Sequence, residues 1–281
     1  MSDVLRPAAA SALEAWRHRV SANREQAERL REGTPPRDFY AAAVASDFRA
    51  DPHRTDEPSL DLLRSLVRPG ETWLDIGAGG GRYALPLALQ AKSVIAVEPS
   101  EGMRHVLQAG MSEHGISNIE ILPARWPMQR APTADVALIA HLGYDIEEIG
   151  PFLDAAEASA LRLCVAVLVT PSPPHPAERF WPPIHGEARV SLPSLTEFLT
   201  LLLARGRLFE LRLFAREPLL HADRDGPLRW LYQQLFVTPD TEKGQRLAAL
   251  ARDSITSRDG RWALSWSPVP VVGIVTWRPR D

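Results

Sequence analysis

The residues with the greatest chemical reach gather in Asp75-Ile76-Gly77-Ala78-Gly79-Gly80-Gly81-Arg82, between a short apolar run and an Ala/Leu-rich run ending near Gln90. Glycines at 77, 79 and 81 allow φ > 0 and let a ligand lie against the main chain with no Cβ in the way. A helix from about Arg82 to Gln90 would aim its unpaired N–H groups and positive dipole end back at the loop, which welcomes a polar or anionic group. Asp75, two places before the first glycine, would oppose a pyrophosphate and suits a cation. A second carboxylate follows at 98 − 75 = 23 residues, where Glu98 ends the apolar run Ser93-Val94-Ile95-Ala96-Val97. At the tip of a strand it can accept both hydroxyls of a ribose.

Two ligand types use such a loop. The dinucleotide fingerprint G-x-G-x-x-G/A needs a small third residue for close helix–strand packing, and here that place holds Arg82. The pattern D-x-G-x-G-x-G, complete as Asp75, Gly77, Gly79 and Gly81, resembles the first motif of the class I S-adenosylmethionine-dependent methyltransferases. Glu98-Pro99-Ser100 followed by Gly102-Met103 resembles the E-P-S-x-x-M turn of their small-molecule members. The resemblance implies that Gly77, Ala78, Gly79 and Gly81 wrap the methionyl part of the cofactor. It also implies that Asp75 lies near the cofactor's amino group and that Glu98 and Pro99 meet the ribose.

Stepping outward, the core alternates strand and helix, the pattern of a parallel sheet. Strands are expected near 72–76, 93–97, 118–122, 135–140 and 163–169, with helices near 81–90, 101–114 and 145–162. Gly77, Glu98, Arg125 and His141 each follow a strand, and ligands of such sheets bind outside the carboxyl ends of strands. All should therefore fall on one rim. A strand at 208–215 and another at 269–277 match the antiparallel pair that closes the sheet in the resembling family. The expected fold is thus α/β, a Rossmann-like doubly wound seven-stranded sheet with an antiparallel last strand. N-terminal helices precede it and a helical insertion precedes the last strand. The organisation expected is a lid at 1–58, a cofactor-binding domain at 59–218 and 263–281, and an insertion at 219–262 that forms a lid or dimer contact.

The third strand end departs from the family: many relatives carry an Asp there that reads adenine, whereas this chain has Ala124-Arg125-Trp126-Pro127. Arg125 is a cofactor contact in this reading, over the ring face, and Trp126 a neighbour or core residue. After the fourth strand comes His141-Leu142-Gly143-Tyr144-Asp145, a position that faces the transferable methyl in the family. The Asn/Asp-Pro-Pro-aromatic motif of the DNA and protein amide methyltransferases is absent there. His141 either bridges cofactor and substrate or caps the next helix. Beyond the fifth strand, a proline-stiffened stretch leads to Phe180-Trp181-Pro182-Pro183-Ile184-His185-Gly186-Glu187, read as a loop over the substrate or as a loop plugged into the domain by its aromatics.

Oxygen and nitrogen acceptors require removal of a proton, so His185 is the first choice of base and His141 the second, with Tyr144 positioning the acceptor. Trp181, Glu187 and Tyr40 are substrate candidates, and Arg49 joins Tyr40 as a lid candidate. Residues 3 to 32 read as one amphipathic helix whose charges of mixed sign argue for a solvated face rather than a nucleic-acid arm. A net charge of −3 likewise demands no nucleic acid partner. No metal is called for, since the one cysteine, Cys164, lies in an apolar run and the histidines do not cluster. With no apolar stretch of membrane-spanning length and no secretory leader, a cytoplasmic monomer or homodimer is expected. The function implied by the resemblance is methyl transfer from S-adenosylmethionine to a small molecule. A non-catalytic S-adenosylmethionine-binding protein and a nicotinamide-dependent oxidoreductase remain as alternatives.

Overall fold

The computed structural model describes residues 7–34, 48–215, 219–265 and 269–279. Seven strands form one sheet: β1 (Thr72–Ile76), β2 (Ser93–Val97), β3 (Ile119–Leu122), β4 (Ala134–Ala140), β5 (Ala160–Thr170), β6 (Phe209–Ala215) and β9 (Val271–Trp277). Their order is β3-β2-β1-β4-β5-β9-β6. The first five strands pair in parallel, whereas β9 runs antiparallel between β5 and β6. The expected sheet, with its antiparallel closing strand, is therefore the one observed. Trp73, Leu74, Val136, Leu138, Val165 and Val167 are all fully buried, as strands covered on both faces require.

The covering helices are α1 (Ala9–Leu30), α2 (Pro58–Leu66), α3 (Ala84–Ala88), α4 (Glu101–Glu113), α5 (Ile149–Ser159), α6 (His175–Glu178), α7 (Trp181–His185) and α8 (Leu195–Ala204). In α1 the buried residues Trp16, Val20 and Ala27 recur at helical spacing. Its Trp16 Nε1 donates to Ile146 O at 2.9 Å. The mixed charges of α1 are used within the fold: Arg17 pairs with Glu148, Arg24 with Glu147 and Arg19 with Glu197. Helix α8 starts in a capping box in which Ser194 and Glu197 satisfy each other's backbone N–H groups.

A second, smaller core lies beside the sheet. It is built from Ala177, Phe180, Trp181 and Ile184 of the α6–α7 segment together with Leu231, Leu235, Leu247, Ala251 and Leu264. The last five belong to α9 (Gly226–Leu235), α10 (Glu242–Ala251) and strand β8 (Arg261–Leu264), which pairs with β7 (Ile255–Arg258) as a hairpin. That hairpin was not expected from the sequence, and it carries Leu264 beyond the anticipated end of the insertion. Its turn, Asp259-Gly260 with φ of 51° and 76°, is the type I′ signal of two-residue hairpins. At the opposite end of the sheet, Glu157 is 5% exposed and accepts from Arg207 Nε at 2.9 Å and Trp277 Nε1 at 3.2 Å.

Candidate functional site

The glycine loop takes the conformation its residues allow. Gly77, Gly79 and Gly81 have φ of 74°, 56° and 88°, a region that L residues with a Cβ rarely enter. The three differ in what surrounds them. A Cβ on Gly77 would meet Leu142 Cδ2 at 2.7 Å and one on Gly81 would meet Leu107 Cδ1 at 2.5 Å, so both are packed from within. On Gly79 a Cβ would meet nothing within 4 Å, and on that side the loop is open to a ligand. Gly77 N–H donates to Val97 O at 2.8 Å, which ties the end of β1 to the end of β2. The chain at Phe48 crosses the loop, its carbonyl oxygen 2.8 Å from where a Gly80 Cβ would lie.

Two carboxylates bracket this loop. Glu98, 6% exposed, accepts from Gly79 N–H through Oε2 and from Ser100 N–H through Oε1, each at 2.8 Å. Each of its oxygens keeps a second lone pair, the valence that ribose hydroxyls need. Asp75 is 2% exposed, and its Oδ1 has no hydrogen-bond partner among the described residues. Burial, and then the nearby charge of Glu98, push its carboxyl up to about 7 against the opposing hydrogen bond from Ala84 N–H. A buried carboxylate oxygen with no partner is costly on its own and is satisfied by a cationic donor from outside the chain. The residues present therefore fit the amino group and ribose of the cofactor that the motif implies. The helix after the loop is shorter than expected: α3 begins at Ala84, two residues later, and runs only to Ala88, and its first N–H is the one that Asp75 accepts.

Beside the loop stands a network that the sequence did not reveal. Arg82, read as a misfit for dinucleotide binding, pairs with Glu57 Oε2 at 2.7 Å, and Arg54 Nε reaches the same oxygen at 2.9 Å. Burial alone would raise the Glu57 carboxyl, but Arg82 and Arg54 outweigh it and hold it down at about 2. Tyr83, 3% exposed, donates its hydroxyl to Glu57 Oε1 at 3.3 Å and lies 3.0 Å from His141 Nε2. His141 follows β4 with φ of 52°, held by its N–H to Val167 O at 2.8 Å. The only sequence signal for this network was the polar pair Arg82-Tyr83 directly after the loop. Its partners at 54 and 57 lie too far away in sequence for any local rule.

The other sequence-selected residues separate. Ala78 is buried in the loop, Pro99 is exposed after Glu98, and Arg125 is exposed after β3. Trp126 is core, 8% exposed with Nε1 donating to Phe152 O at 3.3 Å. Tyr144 is corrected from acceptor positioning to a structural anchor, because its buried hydroxyl accepts from Val169 N–H at 2.8 Å and so fixes the end of β5. Of the two readings of the aromatic stretch, a loop over the substrate or one plugged into the domain, the second holds: it forms the short helix α7, with Phe180 and Trp181 in the second core. Trp181 at 1% exposure is a core residue there rather than a substrate contact. His185 gives way to His141 as first choice of base on position: it stands beside the second core, its Nε2 donating to Leu235 O at 2.9 Å and its ring 4.5 Å from that of Trp181, whereas His141 directly follows β4. Burial also lowers the pKa of His185. Glu187 serves α1, its Oε1 accepting from Arg29 at 2.5 Å and from Gln26 at 2.9 Å. Arg49 pairs with Glu113 of α4, and Tyr40 lies outside the described residues. Burial, with Glu157 next, pushes the Cys164 thiol up to about 12, so it is a packed hydrophobe.

No family model matches the chain. It is 30% identical over 103 residues to an uncharacterized protein of Haemophilus influenzae, a match over 36% of this chain and 38% of that one. A 23S rRNA (uracil(1939)-C(5))-methyltransferase of Hahella chejuensis is 34% identical over 94 residues, 34% of this chain and 21% of the relative. The chain thus spans well under half the length of these curated relatives. Among solved structures, a putative methyltransferase from Bacillus halodurans superposes with a TM-score of 0.56 at 16% identity, over 80% of this chain and 99% of the other. A coclaurine N-methyltransferase bound to N-methylheliamine and S-adenosylhomocysteine gives 0.51 at 13% identity, over 96% and 93%. With the strand order found above, these likenesses show the class I methyltransferase fold.

Proposed function

We propose that the chain transfers a methyl group from S-adenosylmethionine to a small-molecule acceptor. The observation that carries the reading is the pairing of a partnerless buried Asp75 Oδ1 with a loop open at Gly79, both beside Glu98. Asp75 supplies charge for the cofactor's ammonium, Gly79 lets its chain lie against the backbone, and Glu98 accepts the ribose hydroxyls. When bound, the cofactor offers an electrophilic methyl on a sulfonium, and the protein supplies alignment and exclusion of water.

His141 takes the role of base. Glu57, ionised, can only accept, so the Tyr83 hydroxyl proton is directed to it and the Tyr83 oxygen accepts from His141 Nε2–H. The imidazole lone pair then lies on Nδ1, where it takes a proton from an oxygen or nitrogen acceptor. A small acceptor is favoured over RNA because the net charge is −3 and the arginines of α1 are spent on carboxylates of the fold. The test is calorimetry with S-adenosylmethionine, S-adenosylhomocysteine and NAD on the wild type and Asp75→Ala. The proposal expects both sulfur cofactors to bind the wild type, the variant to lose them, and S-adenosylhomocysteine to accumulate with a metabolite pool. Preferential binding of NAD, or unchanged affinity in the variant, overturns it.

A further inference from the structure

The sheet has two edges of different character. At one end β3 is only four residues long. At the other, β6 runs seven residues and pairs with β9 from Phe209 opposite Trp277 to Ala215 opposite Val271, without a shift of register. Its outer side meets no strand among the described residues. Proteins blunt such an edge with a short strand, a proline, a bulge or repelling charges, because a long regular edge is a template for another chain. β6 contains no proline, and its two charges, Glu210 and Arg212, are of opposite sign.

Those charges stand on one face, since the side chains of a strand alternate. Both are exposed, and neither forms an ion pair among the described residues. Their neighbours across β9 are Thr276 and Ile274, which offer no opposite charge. Leu208, just ahead of the strand, is 91% exposed, and Leu213 within it 58%. Phe209 and Phe214 are only partly covered by the main core. This edge suits a partner strand that is itself apolar and presents the same two charges in reverse order. A second copy of β6, run antiparallel, does both.

We propose that β6 is the contact between two copies of this chain, paired antiparallel about a twofold axis at Leu211 so that their sheets join into one. An axis that sets two strands antiparallel keeps the faces of the sheet, so it lies at the level of a residue and not between two. With the axis at Leu211, Glu210 of each copy lies opposite Arg212 of the other. Leu213 then faces Phe209, and Leu208 faces Phe214, so both exposed leucines meet an aromatic ring. An axis at Glu210 or at Arg212 would set like charges face to face, so the charge pattern selects the register. The contact is isologous and occupies the edge it uses, so assembly stops at two. It holds whether or not the methyltransferase reading does.

The experiment uses the full chain as wild type, Glu210→Arg, Arg212→Glu and the double exchange, each followed by sedimentation equilibrium at micromolar concentrations. Wild type should be a dimer. Each single exchange brings two like charges from each copy to the axis and should weaken the dimer at least about tenfold. The double exchange should restore it. An equimolar mixture of the two single variants should form heterodimers, because opposite charges face each other again, and a change within one chain cannot produce that rescue. Amide hydrogen exchange across 209–215 should slow as wild-type concentration rises, which locates the contact. A dimer indifferent to both single exchanges, single variants that fail to pair on mixing, or open-ended assemblies overturn the proposal. A monomeric wild type overturns it too, including one that dimerises only when residues 1–6 are removed, since the edge then belongs to the chain's own terminus.

Discussion

Asp75→Asn should free cofactor affinity from pH. The native carboxyl titrates at about 7, against 3.8 for its ordinary value. A difference of roughly three units at about 1.4 kcal/mol each means that ionising Asp75 in the ligand-free protein costs about 4 kcal/mol. The unfolded chain releases this proton near pH 4, whereas the folded chain holds it until about 7. The stability associated with the raised pKa is therefore full below the unfolded value and is lost as pH rises through the folded one. A bound ammonium reverses the preference, because it interacts with the ionised form only. Between pH 8 and pH 6 the ionised fraction falls from about nine-tenths to about one-tenth, so the wild-type Kd for S-adenosylmethionine should rise about tenfold. Calorimetry at pH 6, 7 and 8 reads this directly, and buffers of different ionisation enthalpy report the proton released on binding. Asp75→Asn should bind weakly with no slope in this window, and its gain in melting temperature over wild type should be larger at pH 8 than at pH 5. A flat wild-type profile refutes the reasoning. A slope that survives in Asp75→Asn assigns it to another group, His141 being the nearest alternative in the site.

Three further outcomes are expected. Gly79→Val should abolish cofactor binding while the protein stays folded. Gly81→Ala, whose Cβ would lie 2.5 Å from Leu107 Cδ1, should instead cost about 1–3 kcal/mol in urea unfolding, and a reversal of these two phenotypes would show that the wrong side of the loop is open. Glu98→Gln should weaken S-adenosylhomocysteine at least about tenfold while a 2′,3′-dideoxy analogue binds both proteins alike; continued discrimination by the variant removes Glu98 from the ribose. Glu157→Gln should cost about 3–5 kcal/mol by leaving Arg207 buried without its counter-ion, and a loss below about 1 kcal/mol would mean that water already reaches the pair.

The sheet was legible because its signals are local and repeat. The apolar runs at 72–76 and 93–97 became β1 and β2 without a residue's change, since a strand buried on both faces needs continuous apolar sequence. The glycine loop was legible for the same reason, as three positive φ values leave little choice of residue. Even there the meaning of each glycine was not in the sequence. Gly77 and Gly81 are glycine because Leu142 and Leu107 occupy the space of a Cβ, and only Gly79 faces outward. Sequence treats the three alike because their neighbours come from other elements.

The aromatic stretch after β5 shows where pattern reading ends. Composition marked Trp181, His185 and Glu187 as a group suited to chemistry, and each is engaged by the fold: Trp181 by the second core, His185 Nε2 by Leu235 O and Glu187 Oε1 by Arg29 and Gln26. Arg189, whose Nη1 is buried with no partner among the described residues, looked in the sequence like any other surface arginine. The distinction depends on α1 and α7, whose Gln26 and Trp181 clamp and underlie it, and neither contact has a sequence spacing that a local rule could register. Residue type tells what a side chain is able to do, and the partners left over after folding decide whether it is available to do it. By that criterion Asp75, whose buried Oδ1 has no partner among the described residues, is the carboxylate left to answer a cation beside the glycine loop.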